Sequence, residues 1–289
     1  MEQDLNIQWY PGHMTKTRRQ IEADLKLVDA VCEILDARIP FSSRNPDIAG
    51  ICGNKPRLVI LNRMDLADPA ATQSWMNYFR KQGLQSVATD CKSKKGVSGF
   101  EPAVRELLKE KIARNTAKGM NRPIRVMIVG IPNVGKSTFI NQDSGRKGAK
   151  AENRPGVTRG KQWVNVNMNL LLLDTPGILW PKFDDPRVGM MLAYTGAVRD
   201  GVLDTETLAC RLAGMLWDKY PEALKGRYGI EMPTHCQDYE ILEAIGRKRG
   251  FLLPGNEINY ERTAAVLVEE FHNGKLGRFT LEGPEVYER

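Results

Sequence analysis

Short apolar runs alternate, through the first two thirds of the chain, with longer stretches in which apolar side chains recur every three or four positions. The short runs indicate buried strands, and the longer stretches indicate amphipathic helices with one face against a core. Strands and helices that alternate at this spacing are typical of an α/β fold with a mostly parallel sheet covered on both faces. The predicted strands are Ala30–Asp36, Arg57–Leu61, Gln85–Ala88, Arg125–Val129, Gln162–Val166 and Leu170–Leu173, and the predicted helices are Thr15–Asp29, Pro69–Gln82, Phe100–Lys118 and one that starts near Phe139.

The strand pattern fades after Pro186, and helical periodicity replaces it. This change predicts two domains, an α/β domain over residues 1–185 and an all-helical domain over residues 186–289. Within the first domain, the segment from Gly145 to Lys161 is polar, basic and rich in glycine, so we expect it to be mobile. The helices predicted for the second domain are Thr205–Tyr220, Asp238–Arg249 and Tyr260–Asn273.

The composition limits the class of protein. Apolar residues at 42% and charged residues at 27% are ordinary for a globular chain. No apolar run approaches the length of a membrane span, and the N-terminus lacks the apolar core of a signal peptide, so we expect a cytoplasmic protein with no membrane contact. The five cysteines are scattered and never spaced C-x-x-C, which favours reduced thiols over a zinc site or disulfides. A net charge of +7 suits a polyanionic partner, although solvated charged faces explain it equally well.

The clearest chemical motif is Gly130-Ile131-Pro132-Asn133-Val134-Gly135-Lys136-Ser137-Thr138, between a predicted strand and a predicted helix. It fits the phosphate-binding loop G-x-x-x-x-G-K-[ST] in the structural context that this pattern requires. In such a loop, backbone N–H groups surround phosphate oxygens, the lysine adds a positive charge and the hydroxyl can ligate Mg²⁺. The alternative is a glycine turn between two core elements. We therefore predict nucleotide contacts from Asn133, Val134, Gly135, Lys136, Ser137 and Thr138, with Lys136 also a catalytic residue.

A second motif, Asp174-Thr175-Pro176-Gly177, follows the last predicted strand. A carboxylate at such a strand end can hold Mg²⁺ through water, and the N–H of Gly177 can meet the γ-phosphate of a nucleotide. Taken alone, these residues would also suit a common strand-end turn. Thr158, in the polar segment between the two motifs, is the natural second hydroxyl to close over the metal and a catalytic candidate. The predicted Mg²⁺ ligands are thus Ser137, Thr158 and Asp174.

A third motif, Asn62-Arg63-Met64-Asp65, resembles the guanine-reading N-K-x-D motif of GTPases. The ionised carboxylate of Asp65 can accept two hydrogen bonds from the N1 and N2 edge of guanine, which adenine does not offer, so it predicts GTP over ATP. Arg63 replaces the lysine, and its aliphatic stem can still pack over the base and the phosphate loop. A capped turn after a strand is the competing interpretation. The predicted guanine contacts are Asn62, Arg63, Met64, Asp65 and, because Ala88–Cys91 resembles the loop that touches guanine through backbone N–H groups, Asp90 and Cys91.

The order of these motifs is unusual, because the base-reading motifs precede the phosphate loop. In this order, and in three longer motifs, the chain resembles the circularly permuted GTPases of the YlqF/RbgA group, ribosome biogenesis GTPase A. The resemblance extends from Trp9 to about Arg278. The three motifs are Trp9-Tyr10-Pro11-Gly12-His13-Met14, Leu35-Asp36-Ala37-Arg38-Ile39-Pro40 and Asp174-Thr175-Pro176-Gly177-Ile178-Leu179-Trp180-Pro181.

The resemblance implies a permuted P-loop GTPase that binds GTP and GDP with Mg²⁺ and hydrolyses GTP slowly. It also implies association with the large ribosomal subunit and its precursors, and a C-terminal helical domain that contacts ribosomal RNA. We expect a monomer that acts as an assembly factor whose nucleotide state controls its grip on RNA. The alternative is a nucleotide-gated RNA-binding protein in which GTP occupancy is the signal. A phosphoryl-transfer enzyme for a small metabolite would leave the guanine motif and the permuted order unexplained. Basic residues suited to phosphate contacts in the helical domain, or simply to a solvated face, are Arg247, Lys248, Arg249 and Arg262.

Four residues concern the rate of hydrolysis and local stability. Ile178 stands where many GTPases carry a water-orienting glutamine, and the family shares this replacement. His13 is our candidate for that role, and a structural histidine or an RNA contact is the alternative. The carboxamide of Asn133 can help to coordinate K⁺, as in related potassium-stimulated GTPases. Asp143 occupies a helix position that is usually apolar in the family, which is costly unless the carboxylate is paired or the helix ends early.

Overall fold

The computed structural model describes residues 13–145, 162–181, 183, 185–198, 204–233 and 235–286. These residues form two compact units. Of the described residues, the sheet unit contains 13–145, 162–181 and 282–286, and the helical unit contains 183, 185–198, 204–233 and 235–281. The predicted mobile segment and Thr158 lie outside the described residues.

The sheet unit is built on six strands in the order β3-β2-β1-β4-β6-β5. All neighbouring strands are parallel except β5, which pairs with β6 in an antiparallel hairpin at one edge. The parallel alternation predicted from the sequence is therefore confirmed. The strands are β1 (Ala30–Asp36), β2 (Arg57–Asn62), β3 (Gln85–Thr89), β4 (Ile124–Val129), β5 (Gln162–Asn167) and β6 (Leu170–Asp174).

The central strand β1 is buried along its whole length because helices cover both faces of the sheet. The helices of this unit are α1 (His13–Asp24), α2 (Asp47–Cys52), α3 (Pro69–Lys81), α4 (Phe100–Leu107), α5 (Lys109–Ala117) and α6 (Lys136–Ser144). A 3₁₀ turn, Leu25–Leu27, follows α1. The single helix predicted over Phe100–Lys118 is wrong, because Leu108 leaves helical geometry (φ −107°, ψ 12°) between α4 and α5. Here α4 buries Phe100 and Val104, whereas α5 buries no residue fully.

The helical unit contains α7 (Pro186–Tyr194), α8 (Thr205–Lys219), α9 (Pro221–Tyr228), α10 (Asp238–Arg249) and α11 (Tyr260–His272). Helix α8 packs against α9, α10 and α11. The predicted all-helical domain needs one correction, because β7 (Leu252–Leu253) and β8 (Glu257–Ile258) form a small hairpin. Gly255 and Asn256 close its turn with φ values of 90° and 64°, a geometry that these two residue types tolerate.

The chain end returns to the sheet unit. The carboxylate of Glu282 accepts hydrogen bonds from the backbone N–H groups of Phe41 and Ser42, both at 3.0 Å, and from the Ser42 hydroxyl. Its carbonyl oxygen accepts from Nε1 of the buried Trp75 at 2.8 Å. Local periodicity carries no signal for this return, because it depends on contacts across more than 200 residues. Among the described helices, none is long and apolar enough to cross a membrane.

Candidate nucleotide site

The carboxyl ends of the parallel strands lie at one edge of the sheet, where loops from different strands meet. The phosphate loop begins there, directly after β4. Gly130, Asn133 and Gly135 adopt φ values of 152°, 58° and 100°, which curl the backbone tightly. Helix α6 begins at Lys136, three residues before the predicted start at Phe139. Its first backbone N–H groups have no intrahelical acceptor, so the loop and the helix together present N–H donors to an anion.

Lys136 is the charged centre of this loop. Its side chain is buried, and Nζ donates to the carbonyl oxygens of Gly130 at 3.2 Å and Ile131 at 2.8 Å. Burial lowers the pKa of Lys136 to about 8, although the nearby Asp174 works in the opposite direction. An ammonium group that lacks a directly bonded anion gains most from a phosphate in the same loop. The geometry therefore fits the predicted phosphate contact.

Ser137, in the first turn of α6, lies beside Asp174, the last residue of β6. The Ser137 hydroxyl donates to Oδ2 of Asp174 at 3.1 Å, whereas Oδ1 is buried and has no hydrogen-bond partner within the described ranges. Burial raises the pKa of Asp174 above its ordinary value, against the effects of Lys136 and Ser137. A buried carboxylate beside a hydroxyl is an oxygen donor set that fits Mg²⁺. If bound here, the ion would neutralise charge on the phosphates.

The turn that contains Gly177 packs directly against the phosphate loop. The N–H of Ile178 donates to the Gly130 carbonyl at 3.2 Å, and the Thr175 hydroxyl donates to the Ile128 carbonyl at 2.7 Å. A Cβ atom at Gly177 would lie 2.7 Å from the backbone N and Cα of Pro132, so only glycine allows this approach. The predicted γ-phosphate contact thus lies beside the phosphate loop.

Asn62 joins the base-reading loop to the phosphate loop. Its Nδ2 donates to the Val134 carbonyl at 2.9 Å, and its Oδ1 accepts from Thr89 Oγ1 and Cys91 Sγ, both at 3.1 Å. A Cβ atom at Gly135 would lie 2.4 Å from Asn62 Nδ2, which explains the second glycine of the motif. Both groups of the Asn62 amide are engaged by the protein. The residue therefore holds three loops in register, a role that the spacing of the motif did not reveal.

Arg63 makes a second tie between the same loops. Its backbone has a φ of 63°, and Nη2 donates to the Asn133 carbonyl at 2.5 Å. Its Nη1 lies 3.5 Å from Oδ2 of Asp36, whose carboxylate is buried and also accepts two hydrogen bonds from the Arg38 guanidinium, at 3.0 and 2.8 Å. Burial works to raise the pKa of Asp36, but the Arg38 and Arg63 charges outweigh it and hold that pKa below its ordinary value. Asp36 was missed as a site residue, although the motif Leu35–Pro40 contained it.

Asp65 lies in the loop after β2 between two backbone hydrogen bonds. It follows Met64, whose N–H donates to the Thr89 carbonyl at 3.1 Å, and it precedes Leu66, whose N–H donates to the Arg63 carbonyl at 2.9 Å. These bonds fix the backbone on both sides of Asp65. No described residue donates a hydrogen bond to its half-buried carboxylate. Both oxygens can therefore accept from a ligand.

The loop after β3 corrects part of the prediction. The Asp90 N–H, which we expected to meet guanine, donates to the Lys95 carbonyl at 2.8 Å. The Asp90 carboxylate accepts from the Lys92 N–H at 2.8 Å and from the Ser93 hydroxyl at 2.5 Å, so Asp90 shapes the loop. Burial raises the pKa of the Cys91 thiol to about 12, consistent with a neutral donor to Asn62. Of the two, only the Cys91 N–H makes no hydrogen bond with a described residue.

His13 begins α1, and its side chain lies outside the described residues. The next residue, Met14, is buried, and its Sδ accepts a hydrogen bond from the Leu179 N–H at 3.1 Å. The side chain that follows His13 in the chain therefore contacts Leu179, two residues after Gly177. Ile178 is also buried and apolar, so it cannot orient water.

Val134 is buried in the core through its side chain, and Thr138 lies half-buried in the first turn of α6.

Asp143 lies in the last turn of α6, which ends at Ser144. Gly145 caps the helix with a φ of 63°. Its Oδ2 is buried and has no partner in the described part of the chain. Burial, assisted by the neighbouring Glu101, raises the pKa of Asp143 to about 7. The expected cost of a carboxylate on this helix face is therefore met by partial protonation near neutral pH.

In the helical unit, the candidate basic residues differ in what they do. Arg249 is 2.9 Å from Oε1 of Glu270 and lies over the Tyr228 ring, 5.6 Å from its centroid. Arg262 lies over the Phe251 ring at 4.4 Å. Arg247 and Lys248 are exposed. Part of this basic group therefore stabilises the helical unit.

Comparisons with known proteins agree on one family. Residues 125–209 match a family model described as 50S ribosome-binding GTPase. The chain is 48% identical over 288 residues to ribosome biogenesis GTPase A of Priestia megaterium, covering 99% of both chains. It is 33% identical to the Thermotoga maritima protein of the same name, covering 96% of this chain and 95% of that one.

Solved structures agree with these relatives. GNP-bound YlqF from T. maritima superposes with a TM-score of 0.64 at 28% identity, covering 93% of this chain and 99% of that one. The GDP-bound TM YlqF gives a TM-score of 0.65 over 92% of this chain. These full-length matches, together with the base-reading loop that precedes the phosphate loop, establish that the chain belongs to the ribosome biogenesis GTPase A family.

Proposed function

We propose that this GTPase is an assembly factor for the large ribosomal subunit and that its nucleotide state controls its association with ribosomal RNA. The names of its relatives support a role in ribosome biogenesis. The base-reading loop supports guanine selection through Asp65, since its carboxylate has both oxygens available and its backbone is fixed on either side. That the protein acts as a monomer in the cytoplasm stays a prediction.

The observation that carries this proposal is the contact between the Gly177 turn and the phosphate loop. The Ile178 N–H donates a hydrogen bond to the Gly130 carbonyl, and Gly177 packs closely against Pro132. These two contacts leave little room for the two loops to move independently. A γ-phosphate that binds the N–H of Gly177 would therefore change the position of residues 178–179 as well. Leu179 contacts Met14 of α1, so the nucleotide state can reach the start of that helix.

The same contacts support the catalytic assignments. Lys136 is proposed to bind the outer phosphates, and Ser137, Asp174 and Thr158 to hold Mg²⁺. His13 is proposed to position the attacking water, because the next residue, Met14, contacts Leu179 whereas Ile178 is apolar and buried. The Asn133 carboxamide is proposed to help bind K⁺.

The helical domain, residues 186–289 by prediction, is proposed to contact ribosomal RNA. Arg247, Lys248 and the Arg262 guanidinium over Phe251 are suited to phosphate and base contacts. Arg249 is proposed mainly as a structural residue because it binds Glu270.

The first experiment measures GTP hydrolysis by the purified protein, alone and with large ribosomal subunits or their precursors, in K⁺ and in Na⁺. ATP serves as the nucleotide control. We expect stimulation by the particle of orders of magnitude, specific for GTP and greater in K⁺. Lys136→Ala is the negative control, and Lys109→Ala, which removes an exposed lysine of α5, is its matched positive control.

The alternative, in which GTP occupancy alone is the signal, rests on the buried apolar Ile178, which gives the isolated protein no water-orienting side chain at this position. It predicts that particles change GTP affinity but leave turnover unchanged. If particles neither bind the protein nor alter its turnover, the assembly role is wrong.

A further inference from the structure

A second charged site lies at the opposite edge of the sheet from the phosphate loop. A small cleft of about 80 Å³ opens where β4 begins, lined by Asp29, Lys111, Asn115, Met120, Arg122 and Asn169, among others. Strand β4 runs from this cleft to Gly130, and six extended residues span about 20 Å. A ligand in the cleft would therefore leave the nucleotide loops accessible.

The charge around this cleft is strongly unbalanced. Residues 105–125 contain seven lysines and arginines but only two acidic residues, whereas the whole chain has a net charge of +7. Arg105 is compensated by Glu101 at 2.7 Å, and Lys109 by Glu106 at 2.7 Å. Beyond these two pairs, the ion pairs described for this segment use a single further carboxylate, that of Asp29, so the excess cations repel one another unless an anion binds.

Asp29 is the only acidic residue that lines the described cleft, and it is already shared. Its Oδ1 is 2.7 Å from Lys111 Nζ and 3.2 Å from Arg122 Nη2, and its Oδ2 accepts from the Arg125 N–H at 2.9 Å. Burial works to raise the pKa of Asp29, but the hydrogen bonds and charges of these neighbours lower it below its ordinary value. One carboxylate faces two side-chain cations, so the cleft keeps a net positive charge.

Two further cations extend the charge along the surface. Arg114 and Lys118 are exposed and have no carboxylate within ion-pair distance in the described part of the chain. Positions 111, 114 and 118 follow helical spacing, so their side chains lie along one stripe of α5. Helix α5 buries no residue fully, so this stripe is open to solvent. We define the basic stripe as Lys111, Arg114, Lys118 and Arg122.

Neighbouring groups suit a nucleic acid more than a free anion. Asn115 and Asn121 have side-chain amides without a hydrogen-bond partner among the described residues, and Met120 is 46% exposed beside them. The cleft is far smaller than the roughly 300–1,000 Å³ of pockets that enclose a whole small molecule. It can take one charged group, while the stripe beside it can follow a chain of such groups.

We propose that the basic stripe binds the phosphodiester backbone of RNA, as a second contact on the sheet unit that is separate from both the nucleotide site and the helical unit. The proposal rests on the proposed function, because it names a further RNA contact of the same assembly factor. Amides and the Met120 side chain would contact ribose or bases next to the bound phosphates.

The test compares Arg114→Gln/Lys118→Gln with a matched control, Arg80→Gln/Lys81→Gln. Both double variants remove two exposed charges, and the control pair lies at the end of α3. Binding of each protein, loaded with a non-hydrolysable GTP analogue, to purified large-subunit ribosomal RNA is measured between 50 and 300 mM salt. GTP hydrolysis without RNA confirms that each variant is folded.

Each lost phosphate contact makes the slope of log K against log salt shallower by about 0.7–0.9, which corresponds at 0.1 M salt to roughly sixfold in affinity. We therefore expect the stripe variant to bind RNA about 30-fold more weakly, with a slope shallower by about 1.5, while the control stays within about threefold of the unmodified protein. Basal GTP hydrolysis is expected to stay unchanged in both variants.

The outcomes separate this proposal from the proposed function. If the unmodified protein binds RNA and both variants lose affinity equally, the effect is one of net charge and the stripe proposal is wrong. If neither variant loses affinity, it is also wrong, although the assembly role stands. If the unmodified protein binds no RNA but binds large subunits through a contact that resists ribonuclease, the stripe faces a protein and the RNA contact is refuted.

Discussion

Replacing Asp36 with asparagine tests how the two nucleotide loops are held together. The Asp36 carboxylate is buried between Arg38, which donates two guanidinium hydrogen bonds, and Arg63, whose Nη1 lies 3.5 Å away. Arg63 also holds the Asn133 carbonyl of the phosphate loop. Asparagine keeps the shape and one acceptor but removes the charge that both guanidinium groups face.

The size of the effect follows from these distances. Unit charges at 3.5 Å attract by about 5 kcal/mol at an effective dielectric constant of 20. Arg63 is 25% exposed, and its hydrogen bond to the Asn133 carbonyl persists. We therefore expect the free energy of nucleotide binding to weaken by about 1–2 kcal/mol. This corresponds to a roughly tenfold loss of GDP affinity. The buried Arg38 loses its charged partner, so stability should also fall, by about 3 kcal/mol.

GDP affinity is measured by titration calorimetry below the unfolding temperature of each variant, and stability by urea denaturation without nucleotide. Asp47→Asn is the control, because it removes a half-buried carboxylate paired with Arg18 in the same unit. A double-mutant cycle with Arg63→Lys separates the Asp36–Arg63 term from the loss of stability. If Asp36→Asn binds GDP as tightly as the unmodified protein, Asp36 does not position Arg63 and the reasoning fails.

Three further changes test other parts of the structure. Glu270 accepts a hydrogen bond from Tyr228 and pairs with Arg227 and Arg249. These interactions, most of all the Arg227 hydrogen bonds, lower its pKa from 4.5 to about 2. Because the folded pKa is depressed, its stabilisation of about 3 kcal/mol is present above about pH 4.5 and is lost as the pH falls towards 2. Glu270→Gln should therefore destabilise the protein at pH 7 in urea titrations, but only about a quarter as much at pH 2.5; an equal loss at both would contradict this. Asp65→Asn replaces an acceptor by a donor on one side, so GTP affinity should fall at least 100-fold while that for xanthosine triphosphate rises; retention of GTP in competition binding would exclude Asp65 as the guanine reader. His13→Ala should leave GTP affinity unchanged but lower particle-stimulated hydrolysis by 10²–10⁴-fold, the usual range for a proton-transferring or water-positioning group; full stimulation in single-turnover assays would remove His13 from the mechanism.

Most elements of the sheet unit, and the motifs that indicate its chemistry, could be predicted from local patterns in the chain. Apolar runs identified β1, β2, β4 and β6, because a strand buried on both faces is apolar along most of its length. The strands β3 and β5 were also located from the sequence, although they are polar and more exposed. The phosphate loop could also be predicted, because glycines and a lysine at this spacing, between a strand and a helix, are typical of such loops. The break in the helix at Leu108 and the hairpin around Gly255 could not be predicted, because each depends on tertiary packing.

Which loops meet, and which hydrogen bonds join them, could not be predicted without the folded chain. The bonds from Asn62 to Val134 and from Arg63 to Asn133 join residues about 70 positions apart, and no local pattern encodes such pairs. The same holds for the burial of Asp36, the engagement of the Asp90 N–H and the grouping of cations around Asp29. A local pattern records which face of an element is apolar, whereas a site is made by distant polar groups that the folded backbone brings within hydrogen-bond distance.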